Sequence, residues 1–108
     1  MKHLKKIIVS GIVTVEAGAF DAYCCKNSLE TLDFSKNHLI RLDTIALIDL
    51  SRLIRLNLAK NFLSLSETNF KFLRNLRYLD LSHNNIQYLP SNLFNGLTEL
   101  ELVRIHIF

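Results

Sequence analysis

The eleven-residue run LRYLDLSHNNI, Leu76 to Ile86, has two further versions in the chain: LETLDFSKNHL from Leu29 and LIRLNLAKNFL from Leu53. Each carries an apolar residue at its first, fourth, sixth and eleventh places and asparagine at its ninth: Asn37, Asn61 and Asn84. The starts lie 24, 23 and 24 residues apart, the last interval reaching Leu100. A fixed period of this length marks a supersecondary unit that cannot bury its apolar face alone and stacks on the next copy. The chain is therefore expected to wind into a solenoid, and its 108 residues suffice for one small domain.

Within a copy, the fourth and sixth places follow a two-residue period, which sets both side chains on one face of a short strand. The chain must then turn away. Backbone groups at such a turn lose their strand partners, and a buried unpaired amide is costly. An asparagine side chain carries both a donor and an acceptor. Stacked one above the next, Asn37, Asn61 and Asn84 are expected to bond the turn backbone of their own and neighbouring coils, a structural role rather than a ligand-binding one.

This pattern resembles the leucine-rich repeat family, in its typical subtype of ~24 residues found in extracellular proteins such as Toll-like receptors and matrix-type repeat proteins. The continuation IQYLPSNLFNGLTEL supplies Leu89, Pro90, Phe94, Leu97 and Leu100 where that subtype has its leucines, proline and phenylalanine. The middle copy supplies Phe70, Leu73 and Leu76, and the first uses Leu47, Leu50 and Leu53. The resemblance implies an α/β repeat solenoid: a short right-handed coil with a parallel sheet on its concave side and an irregular or short-helical convex side. Phe70 and Phe94 would fill the convex part of the core. The repeats run 29–52, 53–75 and 76–99, with a partial copy at 100–108. That last copy departs from the pattern, with Phe108 in the place of asparagine and no cysteine-rich cap of the kind secreted members carry. Leu102, Ile107 and Phe108 are expected on an open edge, which suggests a fragment, a truncated chain, or pairing through uncapped ends.

Two readings of the first 19 residues stand. Lys2, Lys5 and Lys6, the apolar run Ile7 to Val15 and the small-x-small Ala17-Gly18-Ala19 have the layout of a cleaved secretory leader. That run is too short to cross a bilayer. Alternatively, IVTVEAGAF can be laid on IQYLPSNLF, with Ile12 on Ile86, Val15 on Leu89 and Phe20 on Phe94, as a degenerate first repeat with Ser10 where asparagine belongs. Residues 20–28 resemble the remnant of an N-terminal cap. Its Cys24 and Cys25 are adjacent, which strains a bond between them, so any partner lies elsewhere.

Charge and motifs narrow the function. Of the net charge of +3, Lys2, Lys5 and Lys6 against Glu16 place +2 in the first 19 residues. The repeats are nearly neutral, whereas a nucleic-acid binder concentrates basic charge on its folded part. The sequence contains no phosphate-binding glycine loop, no G-x-S-x-G and no H-E-x-x-H. Asp33 and Asp80 fall on coils separated by another. His83 and His106 fall on adjacent coils, short of the three or four protein ligands zinc usually takes. No cofactor is expected.

The outward rows are more informative. The third places are Thr31, Arg55, Tyr78 and Leu102; the fifth are Asp33, Asn57, Asp80 and Arg104; the eighth are Lys36, Lys60, His83 and Ile107. A parallel ladder stacks each row, ~4.8 Å per step. A basic row beside a partly acidic one, with Tyr78 and Arg55 between, has the composition of a recognition face. The expected function is non-enzymatic protein recognition, secreted or on a cell surface. An intracellular scaffold, or a fragment with no function of its own, are the alternatives.

Overall fold

The computed structural model describes residues 4–15, 19–20 and 27–107. His3, Ala17, Gly18, Cys24, Cys25 and Phe108 lie outside them. Five strands form one parallel sheet in chain order: β1 (Lys6–Ile8), β3 (Thr31–Asp33), β5 (Arg55–Asn57), β6 (Tyr78–Ile86) and β7 (Leu102–Ile107). Two shorter strands, β2 (Thr14–Val15) and β4 (Arg41–Leu42), pair beside it. The result is a parallel-strand solenoid.

The register follows from the leucines. Leu32 is paired with Leu56, Leu56 with Leu79, and Leu79 with Val103. A slip by one residue would turn each of these side chains out of the core. Leu29, Leu32, Leu39, Leu53, Leu58, Leu76 and Leu81 are fully buried. On the convex side Phe70 is fully buried, while Phe94 packs on the core half-exposed. Helical structure among the described residues is a single 3-10 turn, Thr44–Leu47, capped by Asp43, whose Oδ1 accepts from Ile45 N at 3.1 Å. One coil on, the buried Asn69 accepts from Ser66 N at 2.6 Å and donates to Leu42 O at 3.1 Å, tying two convex turns together.

The asparagine ladder closes the turns. Asn61 Oδ1 accepts from Leu39 N of the preceding coil at 3.0 Å, and its Nδ2 donates to Phe34 O at 2.9 Å and to Leu58 O at 3.0 Å. Asn84 repeats this one coil later, on Leu63 N, Leu58 O and Leu81 O. Asn37 does the same towards the N-terminus: it accepts from Ile12 N at 3.1 Å and donates to Val9 O at 3.0 Å. Residues 6–15 accordingly run beside 31–42. Lys6 is paired with Thr31 and Thr14 with Arg41, Ser28 Oγ donates to Leu4 O at 2.6 Å, and the Phe20 and Phe34 rings lie 6.2 Å apart.

Each turn also contains a left-handed residue at the eighth place: Lys36, Lys60 and His83 have φ of 59°, 60° and 58°. An L-residue with a Cβ is strained there by ~1–2 kcal/mol. Lys60→Gly is expected to raise stability by about 0.5–1 kcal/mol despite glycine's larger unfolded-state entropy. Lys60→Val is expected to lower it by about 1–2 kcal/mol. Urea midpoints of the two variants check both signs, and a lower midpoint for the glycine variant would contradict this account.

The last copy shows what the turn requires. It has Arg104, Ile107 and Phe108 where the others have Asp or Asn, a left-handed residue and Asn. A β-branched residue resists positive φ, and β7 runs straight on for 6 residues. The pairing shifts between Leu81 and Ile86, so Ile107 stands opposite Ile86 rather than in the row of His83. Leu102 and Ile107 are exposed on this edge.

Candidate functional site

The concave sheet encloses a shallow hollow of about 240 Å³ lined by Thr31, Asp33, Arg55, Asn57, Tyr78, Asp80 and Arg104, together with Lys6, Leu102 and the leucines beneath. The third-place and fifth-place rows of the sequence meet here because β3, β5, β6 and β7 pair in register. At its centre the Arg55 guanidinium lies over the Tyr78 ring, 4.7 Å from the centroid. Such a contact holds a long side chain flat on an aromatic face and leaves its N–H edge free to meet a partner. Arg55 is exposed and Tyr78 half-buried.

The eighth-place residues do not join the hollow. Lys36, Lys60 and His83 sit at the left-handed turns with their side chains exposed, and none of them lines it.

The fifth-place row has a second occupation. Asp33 Oδ1 accepts from Ser35 N at 2.9 Å, and Asn57 Oδ1 accepts from Ala59 N at 3.0 Å. Asp80 Oδ1 accepts from Ser82 N at 3.0 Å and from Ser82 Oγ at 2.6 Å. These are Asx turns, in which a short polar side chain holds its own backbone two residues on. Asp33, Asn57 and Asp80 thus shape the exit from each strand, with one oxygen or the amide nitrogen left towards the hollow. Arg104 cannot make this bond, and its strand does not turn.

Leu102 lines the hollow with the rest of its third-place row, and Lys6 lines it although it was not assigned to it from the sequence. Aligning Ile12 with Ile86 carries Lys6 onto the fifth place, whereas its pairing with Thr31 sets it in the third, so the first coil is two residues shorter between strand and turn. On the flank behind, exposed ion pairs join Lys5 to Glu30 at 3.1 Å and Arg77 to Glu101 at 3.5 Å. Pairs so exposed contribute little stability. Among the described residues no three histidine, cysteine or acidic side chains cluster as a metal centre, and no helix is long and apolar enough to cross a membrane.

The leucine rich repeat family model matches residues 60–106. Over 75 residues, 68% of the chain, the sequence is 40% identical to an adenylate cyclase of Schizosaccharomyces pombe. Over 78 residues, 69% of the chain, it is 37% identical to podocan-like protein 1 of Mus musculus. The chain spans a small part of both relatives, 4% and 14% of their lengths. The repeat period, the parallel solenoid, the asparagine ladder and these matches agree: the chain belongs to the leucine-rich repeat family.

Proposed function

We propose that the concave sheet binds a protein partner, with Arg55 and Tyr78 as its anchor, and that the chain carries out no reaction of its own. The observation that carries this reading is the Arg55–Tyr78 contact at the centre of the hollow. Leucine-rich repeat domains are protein-interaction modules, and arginine and tyrosine dominate binding energy at interfaces. Lys6 and Arg104 extend the surface on either side. The hollow sets Lys6, Arg55 and Arg104 against Asp33 and Asp80, three positive charges to two negative, a balance that suits an acidic partner segment.

The repeat subtype favours an extracellular or cell-surface setting. A second reading, an intracellular scaffold, is favoured by residues 4–15: they make the contacts of a coil, and a cleaved leader would leave none of them in the mature protein.

The test is a screen of secreted, cell-surface and cytoplasmic proteins with the soluble chain as bait, followed by the double variant Arg55→Ala/Tyr78→Ala. The expected loss is about 100-fold in affinity, some 2.7 kcal/mol, with thermal unfolding unchanged. A partner whose affinity is indifferent to both substitutions would remove the concave face from the interaction.

A further inference from the structure

The imidazoles of His83 and His106 face each other across adjacent strands, their ring centroids 4.5 Å apart and their planes at 88°. Both side chains are exposed. Among the described residues the ring contact is the sole interaction of either imidazole. Their backbones are held by the pairing of β6 and β7, at the shift where β6 makes its turn and β7 runs straight. In a uniform repeat these residues would not meet, since His83 holds the eighth place of its copy and His106 the seventh. The irregular last copy brings them together.

We propose that His83 and His106 form a two-point chelating site for a first-row divalent transition ion such as Ni²⁺, Cu²⁺ or Zn²⁺. Imidazole nitrogen suits these ions, whereas Ca²⁺ and Mg²⁺ require oxygen ligands. Metal–nitrogen bonds of ~2.0–2.1 Å place two ligating nitrogens about 3 Å apart. Rings with centroids 4.5 Å apart reach that spacing by rotating one exposed side chain, without moving the strands. Two ligands fall short of a closed structural zinc site. The remaining positions belong to water or to a donor on a partner, so the site is an exchangeable surface chelate. A bound ion would tie the end of β7 to the turn of β6 and favour the folded form. This site lies off the concave hollow and does not depend on the proposed protein binding.

The experiment is a NiCl2 titration of the full chain carrying Cys24→Ser and Cys25→Ser, which removes competing thiolates, followed by NMR of backbone amides and imidazoles. Paramagnetic broadening is expected to begin at His83, His106 and their chain neighbours and to saturate. His83→Asn keeps a residue that tolerates the left-handed turn, and His106→Gln keeps the strand. Each is expected to weaken binding at least tenfold, about 1.4 kcal/mol. If the second variant fails to fold by circular dichroism, the first decides alone. MgCl2 at equal concentration is expected to leave these resonances unchanged. Broadening centred on His3 or His38, uniform broadening, or a His83→Asn affinity within about twofold of the parent would overturn the proposal.

Discussion

Asn61→Ala is expected to destabilise the fold by about 3–4 kcal/mol, a large share of the 5–15 kcal/mol typical of a domain. The side chain is 2% exposed and serves two coils at once. Its loss does not strand every group it touches. Phe34 O keeps the Asn37 amide at 2.7 Å, Leu58 O keeps that of Asn84 at 2.9 Å, and Ala59 O keeps Lys36 N at 2.9 Å. The group left alone is Leu39 N, buried and bonded at 3.0 Å to Asn61 Oδ1. An orphaned buried amide costs about 1–3 kcal/mol, and each further bond lost about 1 kcal/mol. Asn61→Asp is expected to be no better. It restores the acceptor for Leu39 N but sets a buried carboxylate against the carbonyls of Phe34, Leu58 and Ala59, which need a donor. Urea unfolding followed by circular dichroism measures both. A loss below about 1 kcal/mol for the alanine variant would mean that water replaces the ladder.

The same residues show what could be read from the chain and what could not. The strands and their register were legible because a two-residue period of leucine, repeated three times, has few solutions: Leu32, Leu56 and Leu79 must align for any of them to be buried. The asparagines were legible because a polar residue fixed among leucines needs a backbone partner. The fifth-place row was read for its outward direction, and its second occupation was missed. Asp33, Asn57 and Asp80 look like side chains that simply face water, yet D-x-S, N-x-A and D-x-S are Asx-turn sequences that prepare the left-handed residue. That left-handed place was hidden because Lys36, Lys60 and His83 are not glycines. Asn69 was missed because it occurs in one copy and no period announces it. The meeting of His83 and His106 depends on a strand that fails to turn. A repeat rule predicts regular copies, and the irregular one follows from local chemistry at Ile107.

Deleting residues 1–15 is expected to cost on the order of several kcal/mol and to leave a poorly soluble chain, if these residues are a coil of the solenoid. Val15 is buried, and Leu4, Ile7, Val9 and Ile12 pack on the core half-exposed. Burying such side chains contributes ~1.5–3 kcal/mol each when complete, and ordering the segment offsets part of it. The larger effect falls on what lies beneath. Leu32, Phe34, Leu39 and Leu42, now at most 3% exposed, would form an open apolar edge, and Asn37 would lose the Val9 and Ile12 bonds. Terminal coils matter in this way because each repeat is stabilised only by its neighbours. The natural counterpart of the deletion is leader cleavage, so the intact mass of the full chain from secretory cells bears on the same question. A species retaining residues 4–15, together with a deletion variant that melts earlier, fits a first coil that caps the sheet. A secreted species beginning at Phe20, with a deletion variant as stable as the parent, would return these residues to the leader. The first exposed strand of the mature solenoid would then be β3, and Lys6 would leave the binding face.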